Sequence, residues 1–577
     1  MGGFYLVRGV ADAARASHVR RLEASFSEQG FGAPQRIEGA LWCLGLYPDF
    51  HGRPGSVLRT QGEFEAASVG TLCYGGDFGD AGLRRLIHDF KGKLPPPGML
   101  SGAFAVILHW GERLWILGDP IGLFRLYATE NDAVLTSSFL AAAATLECPE
   151  VSDQGVYEYV FQEATFGTDT VLRDVRAVPA FTLHELTSRG FEARERFGLP
   201  EAGFDRRPHA HHADALLARI REIFGSVARS YGTHVSTALS GGFDSRLALA
   251  ALLDRGVQPE VHVYGRPGDI DVRVAKTIAA GEGFPLEHVD KSRWVGSAPE
   301  AFAHAVRRNY LHFDGLPSDG VLDWGGDLAT RLQRSAAGQL HVNGGGGEVM
   351  RNFFYLPGRD LSVRQFLWSF YARFDPRACT ERFNEPRYLA ALSEKVSATL
   401  DLQGQRIPRA QIELLYPFYR CRYWTGRNNS INSRFGREIT PFLDYGLVER
   451  AVRLPLALKN YGVVEASLIN ALSPRLARYQ SAYGYAFDHQ PPLAFRIKAA
   501  STYLRPPAIR RLSFRVQNRS AARRAIGSHD ADCLRAIVDP TLPRVSKWFR
   551  IARVGDEGHR RRMVSLEYFL ARIDASV

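Results

Sequence analysis

Two kinds of apolar spacing divide the chain. Up to about residue 204, hydrophobic residues fall in short runs bounded by Gly, Pro and charged side chains. Gly102-Ala103-Phe104-Ala105-Val106-Ile107-Leu108 and Arg113-Leu114-Trp115-Ile116-Leu117-Gly118-Asp119 are nearly unbroken and flank the turn-like Trp110-Gly111-Glu112. Such runs on either side of a turn predict a buried antiparallel strand pair. Pro95-Pro96-Pro97-Gly98 predicts a rigid connector. A polar stretch, 205–212, carries His209, His211 and His212. Without a fourth ligand at suitable spacing it reads as a linker into a helix starting near Ala213, not as a metal site.

From about 234 the pattern alternates. Apolar β-type runs at 234–239, 260–264, 286–290 and 340–343 are separated by helical composition at 244–254 and 271–280. Strand and helix in alternation predict a parallel sheet with helices on both faces. Beyond 360 the spacing becomes mainly helical. The boundaries that follow are a strand-rich unit over 1–204 and an α/β unit over 205–577.

With 577 residues the chain exceeds one ordinary domain, so two units suit its size. No apolar run approaches the ~20 residues needed to cross a bilayer. The start, Met1-Gly2-Gly3-Phe4-Tyr5-Leu6-Val7-Arg8, lacks the layout of a secretion signal, so a cytoplasmic location is expected. Six cysteines are scattered with no C-x-x-C, which argues for reduced, mostly core thiols over a disulfide framework or structural zinc. The net charge of +11 raises the question of a polyanionic partner. Much of the excess lies late, in 505–511 and in His559-Arg560-Arg561-Arg562, and a solvated arginine-rich surface accounts for it equally well.

The segment with the most chemistry is Ser240-Gly241-Gly242-Phe243-Asp244-Ser245, which closes one predicted strand and opens a helix. Two glycines let the backbone turn sharply and present its N–H groups. The helix N-terminus adds unpaired N–H groups and a partial positive charge. Ser240 and Ser245 add hydroxyl donors, which completes a phosphate or pyrophosphate cradle. Asp244 would repel phosphates unless it holds Mg²⁺, a cation that takes oxygen ligands together with substrate phosphates. A plain strand-to-helix turn would need neither the Asp nor the two Ser. The spacing is not that of the G-x-x-x-x-G-K-[ST] loop. A second glycine loop, Asn343-Gly344-Gly345-Gly346-Gly347-Glu348, follows another predicted strand, where parallel sheets bind ligands. Glu348 can share the metal with Asp244.

The first segment resembles the S-G-G-x-D-S signature of ATP pyrophosphatases, and the order of motifs along almost the whole chain resembles the asparagine synthetase family. Gly344 to Glu348 stands in the place of that family's G-E-G-A-D segment. Arg437-Glu438-Ile439-Thr440-Pro441-Phe442-Leu443-Asp444 is similar to its E-x-R-x-P-F-L-D segment. Met99 to Val106 is similar to its L-x-G-x-F-A-F strand, and Gly118-Asp119-Pro120-Ile121-Gly122 with Leu126-Tyr127 to R-D-x-x-G…L-Y, with Gly118 in place of Arg. The resemblance implies an Ntn-hydrolase-like αββα sandwich over 1–204, then a doubly wound ATP-pyrophosphatase sheet with a helical C-terminal region. It implies that Leu239 and Val263 border adenine or ribose, and that Ser240, Gly241, Gly242 and Ser245 hold phosphates. Asp244 and Glu348 would bind Mg²⁺, and Gly344 would lie near an acyl-adenylate. The active site is expected between the two halves.

The departures are informative. Glutamine-using members carry a cysteine directly after the initiator methionine, and here that position is Gly2, which has no nucleophile. Their N-G-E segment, whose Asn helps form an oxyanion hole, aligns with Gly75-Gly76-Asp77. Glutamine is therefore not expected to be the nitrogen source. The family's helix after P-F-L-D carries a catalytic Lys; the matching Gly462-Val463-Val464-Glu465 has none, which leaves Lys459, Lys498 or Arg437 as substitutes.

The expected reaction is amide bond formation through an acyl-adenylate, with ATP and Mg²⁺ consumed or bound, and AMP and pyrophosphate released. The four-glycine loop resembles lasso-peptide cyclases, which implies macrolactam closure of a precursor peptide, with a leader peptidase and a leader-binding protein as partners. Three alternatives stay open: a small-molecule amide synthetase using ammonia or another amine, a tRNA-modifying ATP pyrophosphatase, and a non-catalytic scaffold. The absence of a C-x-x-C pair and the presence of the first half weigh against nucleic acid.

Overall fold

The computed structural model describes residues 2–9, 12–111, 113–294, 296, 298–517 and 531–573. The first part is built on two six-stranded antiparallel sheets. One runs in the order Val175–Val178, Leu126–Thr129, Val134–Thr136, Gly3–Arg8, Trp42–Tyr47, Gln35–Gly39. The other runs Gly190–Arg196, Thr182–Thr187, Arg113–Gly118, Phe104–Trp110, Glu63–Gly70, Val57–Thr60. The strand pair expected around Gly111 is present, with Ile107 opposite Ile116.

The unbroken apolar runs have a simple cause. Successive side chains on a strand point to opposite faces. Phe4 and Leu6 enter the core between the sheets with Ala105, Ile107 and Ile116, while Tyr5 and Val7 pack under helix Ala13–Glu28 against Leu22 and Phe26. On the other sheet Phe104, Val106 and Leu108 turn outward onto Leu83 and Leu86 of helix Gly79–Asp89. Both faces are buried, so no alternation survives in the sequence. The layers run helix, sheet, sheet, helix.

The second part centres on a five-stranded sheet, all of whose neighbouring strands pair in parallel: Leu286–Val289, Glu260–Tyr264, Val235–Ala238, Leu340–Val342, Glu438–Ile439. Numbered along the chain this order is 3-2-1-4-5. The chain therefore reverses its winding between Val235–Ala238 and Leu340–Val342, and a parallel sheet leaves a crevice at the carboxyl ends of such a pair. Helices Asp244–Asp254 and Ile270–Glu282 make the first two crossovers, and helices dominate from Val363 onward.

Two sequence expectations change here. The histidines at 209–212 form the first turn of helix His209–Tyr231, not a linker, because Pro208 at its N-cap starts the helix four residues earlier than expected. The basic run 559–562 is not a solvated surface. In helix Glu557–Arg572, His559, Arg560 and Arg562 are buried. Arg562 Nε donates to the Val160 carbonyl at 2.8 Å, and Arg561 to that of Leu322 at 3.0 Å. The Phe569 ring stacks on Phe139, 5.4 Å between centroids. Five of the six cysteines are buried, and only Cys148 is exposed.

The two parts are joined by buried polar contacts. Asp314 accepts from the backbone N–H groups of Phe139 and Leu140 and pairs with Arg427 at 3.0 Å and Arg434 at 2.8 Å. Burial works against its charge, yet Arg434 and Arg427 hold its carboxyl below the usual carboxylate range. Asp444, in the P-F-L-D segment, caps helix Tyr445–Val452 and receives Ser101 from the first part and both Arg219 donors.

Candidate functional site

The two glycine loops meet at the crevice. Ser240 N–H donates to Ser245 Oγ at 2.9 Å and the two hydroxyl oxygens lie 2.9 Å apart, so the pair closes the loop onto the first turn of helix Asp244–Asp254. No side chain caps that helix N-terminus, which leaves its first N–H groups for another partner. Gly344 packs directly on this turn: a Cβ there would come 3.0 Å from Ser245 Cα and 3.1 Å from the Asp244 carbonyl oxygen. At Gly347 a Cβ would lie 2.3 Å from Asp244 Oδ1, so only glycine leaves room for that carboxylate. The glycine run is a close-packed seat.

Four charged side chains converge above the seat. Arg351 Nη2 donates to both oxygens of Asp244, at 2.8 and 2.6 Å. The same guanidinium lies 3.7 Å from Glu348 and 3.2 Å from Glu465. Tyr416 OH donates to the other Glu348 oxygen at 2.6 Å. Glu465 is fully buried, and neither of its oxygens has a well-formed hydrogen bond. Burial pushes its carboxyl well above the usual range, with Arg351 opposing and Asp244 adding to the shift. Burial raises Asp244 as well, Arg351 opposing and Glu348 adding. Although burial disfavours its charge, Arg351 is held well above the ordinary arginine value by Asp244, Glu465 and Glu348. Three acids thus share one base.

The cluster opens into a cavity of about 490 Å³. Ser240, Gly242, Asp244, Asp271, Glu348 and Arg351 line it together with the rings of Phe243, Tyr461, Tyr483 and Tyr503. Every described residue lining it lies between 240 and 503, so this cavity is formed by the second part alone.

The expected residues separate into three groups. Ser240, Gly242, Asp244 and Glu348 face the cavity together. Gly241, Ser245 and Gly344 form the seat behind them, and the N–H of Gly241 is already donated to Asp271 Oδ1 at 2.7 Å while its carbonyl accepts from Ala482. Val263, on strand Glu260–Tyr264, and Leu239, just past the end of strand Val235–Ala238, are buried in the hydrophobic core; neither borders the cavity. Arg437 does not reach the site. It precedes strand Glu438–Ile439, level with Leu340, at the amino end of a parallel sheet whose loops bind at the carboxyl end, and it is exposed beside Tyr231. Lys498 is exposed on helix Leu493–Tyr503. Lys459 lines the cavity, but its ammonium is bonded to Glu413 and to the Val349 carbonyl. It orders the segment just after Glu348.

Arg351, Glu465, Asp271 and Tyr416 were not selected from the sequence. Arg351 follows Glu348 by three residues, a spacing that lets the two side chains meet. Glu465 occupies the stretch where the resembled family has its Lys. The positive charge sits on Arg351 instead, and an acid faces it from the helix.

At the amino end of the chain the Gly2 N–H donates to the Tyr47 carbonyl at 3.1 Å. A Cβ on Gly2 would meet the Pro48 carbonyl oxygen and Asp49 Cα, both at 2.9 Å, and the Phe31 ring at 3.0 Å. Gly75 and Gly76 form the tight turn of hairpin 73–78 with φ of 59° and 88°, and Asp77 pairs with Arg85.

No protein-family model matches the chain, and no curated protein sequence matches it. Among solved structures, it is similar to the allosteric regulatory enzyme of purine biosynthesis, at 14% identity and a TM-score of 0.21, over 51% of this chain and 67% of that one. It is also similar to the glutamine phosphoribosylpyrophosphate amidotransferase of B. subtilis with ADP and GMP, at 13% identity and a TM-score of 0.21, over 50% of this chain and 65% of that one. The likeness thus spans about two thirds of those chains, and at these scores it supports no statement about fold or activity.

Proposed function

We propose that this chain is an AMP-forming carbon–nitrogen ligase of the asparagine synthetase type, which activates a carboxylate with ATP and passes it to an amine. One observation carries the reading: the Ser240–Ser245 loop and the Gly344–Glu348 loop are packed together at the point where the parallel sheet reverses, with acids and one arginine facing a cavity. The uncapped N-terminus of helix Asp244–Asp254, Ser240 Oγ and the Gly242 N–H would hold phosphate oxygens. The exposed Tyr483 ring supplies an apolar wall.

The acids as they stand converge on Arg351, and among the described residues no group of three His, Cys, Asp or Glu side chains encloses a cation-sized gap. Their donor chemistry nevertheless fits Mg²⁺: hard carboxylate oxygens, with Glu465 buried and its oxygens lacking a well-formed hydrogen bond. Asp244 and Glu348 would hold the ion, which supplies charge neutralisation for the phosphates. Arg351 would then turn its guanidinium to a phosphate oxygen, in the capacity first expected of Lys459 or Arg437. Lys459 positions Glu348 through the Val349 carbonyl.

The packing around Gly2 supports an amine source other than glutamine hydrolysis. The likeness of the four-glycine loop 344–347 to lasso-peptide cyclases favours macrolactam closure of a peptide as the particular reaction. Holding the amine against the acyl group would supply the effective concentration that drives such a ring closure. ATP–pyrophosphate exchange tests the reading. Exchange that depends on a peptide bearing an Asp or Glu side chain supports the cyclase; exchange with a small amino acid redirects it to a small-molecule amide synthetase. No exchange with either class would overturn it.

A further inference from the structure

A second cavity, of about 420 Å³, lies between the two parts of the molecule and shares no residue with the first. Its walls come from residues 122–125 and 167–199 on one side and from helix Glu385–Leu400 and the π-helical segment Tyr416–Thr425 on the other. Domain boundaries are frequent places for ligand pockets, and this volume lies within the ~300–1,000 Å³ typical of them.

Two arginines in its lining are buried and form no salt bridge among the described residues. Arg125 is only 8% exposed. Its guanidinium donates to no described residue, Nε is buried without an acceptor, and its one described contact is the Tyr423 ring at 5.3 Å. Arg422 is 6% exposed and lies over the Phe181 ring at 3.7 Å, with Nε on the Ile121 carbonyl, and Tyr423 and the buried Asp119 also favour its charge. Burial pulls its guanidinium down to about 10. Neither forms an ion pair, whereas the other cations of the lining do: Lys395 with Glu158 and Asp169, and Arg196 with Asp401. Of the lining acids, Asp169 and Asp401 are thus engaged and Glu394 lies on the exposed rim, while Asp119, behind the lining, accepts three backbone N–H groups and attracts Arg422.

A buried, unpaired guanidinium is costly to the fold unless an anion meets it. Arg125 is such a group, and Arg422 lines the same cavity, both beside apolar and aromatic surface from Phe124, Phe181 and Tyr423. We propose that this interdomain cavity is a binding site for an organic anion, a carboxylate or phosphate on an apolar or aromatic body, with Arg125 and Arg422 holding the charge. Planar guanidinium groups suit both oxyanions. The π-helical segment carries both Tyr416, which holds Glu348, and Tyr423 at this cavity, so one element touches both places.

The test uses the full chain with 3-phenylpropionate, phenyl phosphate and uncharged 3-phenylpropionamide, followed by calorimetric titration and thermal unfolding. At least one of the anions should bind saturably and raise Tm, and the amide should bind at least tenfold more weakly; the better anion identifies the headgroup. Arg125→Met should abolish binding while raising the Tm of the free protein, since it removes an unpaired buried charge. Ala398→Trp, at the exposed mouth, should abolish binding with Tm unchanged. The proposal fails if neither anion binds, if Arg125→Met binds them as the natural chain does, or if Arg125→Met lowers the Tm of the free protein, which would make the arginine a structural strut.

Discussion

Glycine does opposite work at the two ends of this molecule. At Gly2 the missing side chain marks a place the backbone has closed: the Pro48 carbonyl and Asp49 Cα stand where a Cβ would go, and backbone atoms cannot swing aside. At Gly347 the missing side chain marks a place a functional group has filled, because Asp244 Oδ1 stands there. The first region carries no nucleophile and no room for one. The second carries three acids and a base around a cavity. What surrounds a glycine, and not the glycine itself, decides whether a loop is a seat for chemistry or a sealed turn.

The largest effect should come from the crowded end. Asp244→Ala removes the group that both loops are built around, and should lower ATP–pyrophosphate exchange about 10³-fold, the scale of removing one preorganised electrostatic partner. Arg351→Ala should fall about 10²-fold or more by the same argument. Undiminished exchange in Asp244→Ala would place the nucleotide elsewhere and erase the contrast between the two ends.

The next effect concerns what ties the ends together. Asp314 accepts two backbone N–H groups from the first part and two arginines from the second. Asp314→Ala strands both guanidiniums in the interior and should cost about 3–5 kcal/mol in urea unfolding. Because the folded-state value of Asp314 is lowered, its contribution is present above its ordinary 3.8 and fades as pH falls through the folded value. A loss under ~1 kcal/mol would mean that the interface is solvated and the two parts fold independently.

At the sealed end, Gly2→Cys should restore no glutamine hydrolysis and should destabilise the chain by about 1–3 kcal/mol, the usual price of overpacking. A measurable glutaminase rate in that variant would show that the Pro48–Asp49 backbone yields.

The same contrast explains what the sequence could and could not tell. The parallel sheet, its crossover helices and both glycine loops were legible, because Ser240 to Ser245 and Asn343 to Glu348 lie next to the strands that position them. Arg437 was misplaced because residue type near a motif does not reveal which end of a strand it occupies. Lys459 looked free because its partner Glu413 is 46 residues away and no local spacing links them. Glu465 drew notice only as a missing lysine; its meeting with Arg351 is made by the fold, across more than a hundred residues. Arg560 and Arg562 read as surface because charge runs usually are, and the burial of Arg562 depends on the distant carbonyls of Val160 and Ser318 accepting from it.

The smallest effect probes the charge balance of the open end without touching its architecture. Glu465→Gln keeps the shape and removes the ionisation. Since burial raises the folded-state value of Glu465 well above its ordinary 4.5, the natural protein loses stability as pH rises from about 4.5 to that raised value, where the unfolded chain ionises first. The variant escapes this loss. In thermal unfolding with EDTA present, the two proteins should coincide near pH 4 and separate progressively toward neutral pH, with the Gln variant melting higher by up to a few degrees. If the natural protein melts higher throughout, Arg351 stabilises an ionised Glu465 more than burial penalises it. The cluster would then be a settled ion network and not a set of acids short of a cation.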